Sequence, residues 1–371
     1  MLKSNHISKI DSLRGIALLS VFLYHSQLCI ATIPEVKKYN ANGIIAVHDL
    51  YEIISTFSPI SFGWSGVELF LLISGFLIHY GYLQNSTNFQ ILSFYSRRFW
   101  RIYPPYFIVF LTFYLGTKGI SYFLLAEGKL DFVLHALLIH NLRSKFFFGI
   151  NPSFWSLALE MQLYILYPII IYLRKKIGIK NVFYLLLSMS ICFFLTGLIL
   201  QEKVAFFKSP TFDLSPLKLW FVWVGGAFLA ERYNNKTLLT KNSTGLVILF
   251  ALLTILSKSF IYTSHLTMYF VTSFWFFVFA GYLKTRRVNK MTFVDKSLGF
   301  VGLCSYSFYL LHQPLLYFMY NFLNKIPLFY QFTAVKVLPV FFLLLIMSYL
   351  MFHVLEKPSI ALGKFLMKKI K

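Results

Sequence analysis

Trp64-Ser-Gly-Val-Glu-Leu-Phe-Leu-Leu-Ile-Ser-Gly-Phe-Leu-Ile-His-Tyr-Gly-Tyr-Leu-Gln84 is the stretch on which the fold turns. It holds no lysine or arginine, one acid (Glu68) and one histidine (His79). Its length matches the ~20 apolar residues a helix needs to cross the hydrocarbon core of a bilayer. Similar runs recur at about 13–33, 101–117, 152–173, 181–200, 217–231, 244–262, 266–283, 298–320 and 333–355. The composition of the 371-residue chain agrees: 58% of it is apolar and 20% aromatic. Charged residues make up 13%, about half the ~25% of soluble domains. A soluble globule could not cover that much apolar surface, and disordered, collagen-like and disulfide-scaffold classes fail on the same figures. The fold class expected is all-α: a polytopic integral membrane protein of about ten transmembrane helices. A single membrane-embedded domain over residues 1–371 is expected, with no soluble extracytoplasmic domain. The first run is not followed by a small-residue cleavage site, so it reads as a retained span.

The formal charge of +22 would suggest nucleic acid on a soluble chain. On a polytopic one, lysine and arginine collect in cytoplasmic loops. Most of the 35 basic residues do so if the N-terminus is inside, as in Arg97-Arg98-x-x-Arg101 and Arg174-Lys-Lys176. Ten spans then return the C-terminus to the same side, so both termini are read as cytoplasmic and nucleic acid is not an expected partner. Cys29, Cys192 and Cys304 lie in apolar runs without metal-ligand spacing, so neither a disulfide framework nor a metal site is expected. The longest outer segments are about 34–63 and 118–151, and the second carries two weakly apolar pieces that read as re-entrant or interfacial.

Ionisable residues inside spans cost ~2.5–3.5 kcal/mol on insertion scales, so each asks for a partner or a task. His25, Glu68, His79, Glu160 and His312 stand out. At 1.5 Å per residue, His25 and Glu160 both fall about 18 Å from the inner face, His312 about 21 Å and Glu68 about 24 Å. His79 lies nearer the cytoplasmic end. Arg14 and His25 are eleven residues apart and share a helix face. An imidazole at mid-depth suits a general base, or else a histidine hydrogen-bonded between helices. In Asn151-Pro-Ser-Phe-Trp-Ser-Leu-Ala-Leu-Glu160, continued to Tyr164 and Tyr167, the positions Ser153, Ser156, Glu160, Tyr164 and Tyr167 form one polar stripe. That stripe faces either a cavity or an interhelical hydrogen-bond seam. The arginines at 97, 98 and 101, at the inner mouth of the third span, suit phosphate oxygens or an ordinary positive-inside anchor.

These pieces together resemble the acyltransferase 3 family of membrane acyltransferases. The resemblance is carried by Arg14-x10-His25, Gly66-Val-Glu-Leu-Phe-Leu-Leu-Ile-Ser-Gly-Phe76, Arg98-x-x-Arg101, Phe154-Trp-Ser-Leu-x-x-Glu160, Tyr306-Ser-Phe-Tyr-Leu-Leu-His312-x-Pro and Glu356-Lys-Pro358. It implies a multi-pass protein of the bacterial inner membrane that takes acyl groups, acetyl by family habit, from cytoplasmic acyl-CoA. The acceptor would be a cell-envelope glycan such as an O-antigen, capsule or exopolysaccharide. It implies His25 as the catalytic histidine, Arg14, Arg98 and Arg101 as acyl-CoA ligands, and Glu160 as a functional carboxylate. Glu68 stands where the family commonly has Asp. Glu160 or Glu68 would orient the imidazole. No tightly bound cofactor is implied, acyl-CoA being the donor substrate. The hydrolase-like extracytoplasmic domain of some members is not expected, which leaves the acceptor to the membrane domain.

A proton-coupled transporter or lipid-linked sugar flippase is the rival reading, with a noncatalytic export component behind it. Two features count against them: such a carrier has no need of the arginine pair as a phosphate site, and the chain shows no internal repeat of the kind inverted-repeat transporters carry.

Overall fold

The computed structural model describes residues 2–30, 52, 56–85, 89–238, 243–260, 262–286, 292–327 and 333–369. Among these the chain is helical, with no β-strand. The helices are α1 (Leu2–Ile30), α2 (Gly66–Leu83), α3 (Ile91–Thr117), α4 (Gly119–Leu124), α5 (Ala126–Ala136), α6 (Phe154–Ile177), α7 (Ile179–Leu200) and α8 (Pro210–Asp213). They continue with α9 (Pro216–Asn234), α10 (Ser243–Ser259), α11 (Thr267–Arg286), α12 (Phe293–Leu303), α13 (Ser305–Leu323), α14 (Val337–Met351) and α15 (Lys357–Lys369). Among the described residues, five helical stretches are long and apolar enough to cross a membrane: Pro59–Leu83, Phe154–Ile177, Ile179–Leu200, Ser264–Lys284 and Val337–Lys368. They coincide with five of the expected spans, and the apolar α10 is shorter.

Two expected spans take a different form. The run 298–320 is two helices, α12 and α13, parted at the buried Cys304 (φ −85°, ψ 1°). The depth counted for His312 along one unbroken helix therefore does not stand. The run 101–117 is only part of α3, which begins ten residues earlier, so Arg97, Arg98 and Arg101 are carried on the same continuous helix as the apolar run. Hydropathy ends at a charge, whereas arginine is a good helix former.

The chain divides into two compact units. The first comprises residues 1–80, 225–305 and 316–341. Here helices meet backbone to backbone. A Cβ on Gly15 would fall 2.1 Å from the Leu298 carbonyl oxygen, and one on Gly302 would fall 1.8 Å from that of Asp11. Only glycine fits such an approach, so α1 and α12 press together along two turns. The Ser12 hydroxyl donates to the Asp295 carbonyl at 2.7 Å at the same seam. The 3-10 segment Pro59–Ser65 packs on α1 likewise, with Gly63 against Ser20.

The second unit comprises residues 81–224, 306–315 and 342–371 and is stitched by side chains. The hydroxyls of Tyr103, Tyr106 and Tyr114 on α3 donate to the carbonyls of Ala136, His135 and Gly128. That of Tyr306 donates to the carbonyl of Ile102 at 2.6 Å. Prolines inside helices free a carbonyl four residues back, and this unit answers two of them. Pro314 has no N–H for Leu310, whose carbonyl takes the Asn151 amide at 2.8 Å. Pro104 has none for Trp100, whose carbonyl takes the Ser359 hydroxyl. Away from water, each unanswered carbonyl would cost several kcal/mol by general estimate, about the penalty of any unmet polar group in hydrocarbon.

Candidate active site

In the second unit, α3 and α6 bring Arg98, Arg101 and Glu160 into one charged cluster. Arg98 and Arg101 lie one turn apart on α3, and the Arg98 guanidinium sits over the Tyr164 ring, 5.7 Å from its centroid. The Tyr164 hydroxyl donates to Glu160 Oε1 at 2.5 Å, one turn apart on α6. Arg98 lies within electrostatic reach of Glu160, Arg101 and Arg97. Its Nε is buried with no partner, and among the described residues neither Arg98 nor Arg101 has a carboxylate at ion-pair distance. Two neighbouring guanidiniums, one with a buried Nε still to be answered, suit an anion that brings several oxygens.

Sequence reasoning left two members out of this cluster. Tyr306 lies within electrostatic reach of Glu356, Glu160 and Arg101. Glu356, 3% exposed, accepts from the Ser307 hydroxyl at 3.1 Å. It ends a π-helical turn, Phe352–Glu356, whose extra residue turns the carboxylate inward. The signal was in the closing motifs at 306 and 356, which a hydropathy reading treats as span ends.

The polar stripe of α6 resolves into two parts. Its upper part is a seam to α13: Ser153 donates to Gln313 at 2.7 Å, and Ser156 and Tyr309 share a 2.6 Å hydrogen bond. Its lower part, from Glu160 to Tyr164, belongs to the charged cluster. His312 is buried, its Nδ1 2.9 Å from the Tyr309 carbonyl.

In the first unit the candidate residues are engaged locally. Arg14 pairs with Asp11 at 3.3 Å. His25, on the same unbroken helix, is hydrogen-bonded to the carbonyl of Val21 and edge-on to Tyr24 at 5.4 Å. Glu68 is 4% exposed in the first turn of α2, and its Oε2 has no partner. His79 pairs with Glu231 at 3.1 Å, which gives that histidine a structural task.

A family model described as an acyltransferase domain, of the acyltransferase 3 type, matches residues 7–353, and the chain belongs to that family. Among curated relatives, a Staphylococcus aureus (strain COL) protein provisionally named an O-acetyltransferase is 23% identical over 91% of this chain and 56% of its own length. The O-acetyltransferase OatA of Staphylococcus aureus (strain NCTC 8325) is 24% identical over 89% of this chain and 54% of its own. A provisionally named acetyltransferase of Acidianus two-tailed virus is 24% identical over 84% of both chains. The chain thus spans about half the length of the staphylococcal relatives it matches. No solved structure matches it.

Proposed function

We propose that the chain is a membrane O-acyltransferase that carries an acetyl group from acyl-CoA to a hydroxyl of a cell-envelope sugar or polysaccharide. The donor is cytoplasmic and the acceptor extracytoplasmic. The chain crosses the bacterial inner membrane about ten times with both termini in the cytoplasm, a topology supported by the distribution of lysine and arginine. The observation that carries the reading is the Arg98–Arg101 pair, in which Arg98 Nε is buried without a partner although Glu160 stands nearby. A coenzyme A pyrophosphate or 3′-phosphate supplies the oxygens such a pair takes, with Arg14 as a further ligand.

The reaction balances on one base. His25 removes the proton of the acceptor hydroxyl, whose oxygen attacks the thioester carbonyl. The carbon–sulfur bond breaks, and the imidazolium returns its proton to the departing thiolate, leaving an ester and free coenzyme A. A carboxylate that holds the ring and answers the imidazolium charge adds to this, the role assigned to Glu160 or Glu68.

The test is purified protein in lipid nanodiscs with radiolabelled acetyl-CoA. Saturable binding, competed by free coenzyme A and lost in Arg98→Ala, supports the reading. Absence of binding at millimolar acetyl-CoA overturns it, and proton-coupled uptake of a sugar by the protein reconstituted in sealed liposomes would establish the carrier reading instead.

A further inference from the structure

Outside the charged cluster, the second unit buries a set of ionisable groups that the reaction does not use. His135 on α5 and His140 in the 3-10 turn His140–Leu142 are both fully buried. Their rings lie parallel, 7° apart in tilt with centroids 3.9 Å apart. Phe110 of α3 lies parallel to His135 as well, at 5.7 Å. His135 Nδ1 is 2.9 Å from Asp131 Oδ1 and 3.0 Å from the Asp131 carbonyl oxygen. His135 Nε2 and both nitrogens of His140 have no partner. Parallel rings at this spacing cannot aim two nitrogen lone pairs at one point, so the pair is no chelate.

The turn that carries His140 is strained and tied to α6. Leu138, 3% exposed, sits at φ +56°, a left-handed conformation rare for a bulky residue. Its carbonyl accepts from Gln162 Nε2 at 3.2 Å. The same amide nitrogen donates to Asn141 Oδ1 at 2.8 Å, and Asn141 Nδ2 donates back to Gln162 Oε1 at 3.3 Å. Gln162 is two residues beyond Glu160 on α6, so the 138–142 turn holds the helix that presents Glu160.

We infer that the His135–His140 stack is a proton-sensitive clasp, and that His140 is a positioning residue. With His140 neutral, the turn stays closed on Gln162; a proton on His140 opens it and loosens the setting of Glu160. A proton on His135 is answered by the Asp131 carboxylate. One on His140 meets a facing imidazole and no acid. Burial, then the His135 ring, hold His140 well below the usual histidine range. The other titratable neighbours are Tyr122 of α4, which donates to Asp131 Oδ2 at 3.3 Å, and Tyr106 of α3, which donates to the His135 carbonyl. Burial and the Asp131 carboxylate push the Tyr122 phenol up to about 12, so neither tyrosine titrates in the range concerned. The exposed Glu127 and Lys145 pair with each other at 2.8 Å, and α6 contributes the neutral Gln162. In the topology proposed above this segment faces the outside, where the cell does not buffer the pH.

The sign follows from linkage. A histidine disfavoured as a cation in the closed state and free in the open one makes closure weaken as pH falls below about 6.5, by up to tenfold per pH unit. The experiment is hydrogen–deuterium exchange of the 138–150 segment in nanodiscs at pH 7.5, 6.5 and 5.5, normalised to intrinsic exchange rates. Opening that rises on acidification in the wild type and stays flat in His140→Phe, which keeps the stacked ring, is the expected result. Unchanged protection in the wild type overturns the clasp, and so does acid opening that persists in His140→Phe. Should that variant not accumulate, His140→Gln serves in its place. The link to catalysis rests on the acyl-transfer reading and is tested separately: His140→Phe should keep the rate at pH 7.5 within about threefold and lose the acid limb. An acid limb kept by the variant overturns the positioning role. A clasp that opens with acid in a protein that never releases coenzyme A overturns the acyl-transfer reading and leaves the clasp.

Discussion

The two units differ in what chiefly joins their helices, although each borrows from the other: Gly128 meets the Tyr122 carbonyl in the second, and Ser12 bonds the Asp295 carbonyl in the first. In the first, glycines let backbones touch: Gly15 on Leu298, Gly302 on Asp11, Gly63 on Ser20, Gly226 on Leu72. In the second, hydroxyls and amides reach across to carbonyls, as with Tyr103, Tyr106, Tyr114, Tyr306, Asn151 and Ser359. Both are membrane solutions, because lipid removes the hydrophobic drive for helices to associate and leaves close contact and polar bonding to do it. The candidate base, His25, sits in the first unit, and the arginines proposed to bind the donor's phosphates in the second. Neither mode answers every buried ionisable group: Glu68 Oε2 in the first unit and Arg98 Nε in the second both lack a partner.

Substitutions can break this contrast at four levels. The largest effect should be His25→Ala, lowering transfer by about 100- to 10,000-fold with protein level unchanged, as loss of a general base requires. Retained turnover in nanodiscs would remove the first unit from the chemistry. Arg98→Lys should raise KM for acetyl-CoA roughly tenfold with kcat nearly kept, since lysine holds the charge but not the fork. A fall in kcat alone would move Arg98 from binding to chemistry. Gly302→Ala should cost about 1–3 kcal/mol, because a methyl group has to displace backbone, and a thermal melt in detergent would show it. Tyr106→Phe should cost only about 0.6 kcal/mol, the usual worth of a hydrogen bond between membrane helices. If the tyrosine change proved the costlier, the two packing modes would have been ordered wrongly.

What was legible in the sequence follows the same division. Apolar runs announced the helical class and the five stretches long and apolar enough to cross a membrane, because length and hydropathy are read directly from the residues. Motif spacing singled out Arg98, Arg101 and Glu160, which the fold gathers. Hydropathy could not show that α3 runs ten residues beyond its apolar part, or that 298–320 breaks at Cys304. Nor could it show that Glu356 turns inward, since a π-helical turn shifts the face without altering composition. Within 118–151 two weakly apolar pieces were legible, but the bounds of α4 and α5 and the burial of Asp131 and His135 were not, because a short helix of mixed polarity has no distinctive period.

The carbonyl of Leu310 has a history written into it. With Pro314 in place, that oxygen depends on Asn151; with an alanine at 314, the helix would supply its own donor and the amide would become redundant. The two positions therefore cannot change in either order. A lineage can give up the proline first and the asparagine afterwards at little cost, whereas the reverse passes through a chain with a buried, orphaned oxygen. Relatives should accordingly fall into three of the four possible combinations at these sites, with the proline lacking its asparagine as the empty class.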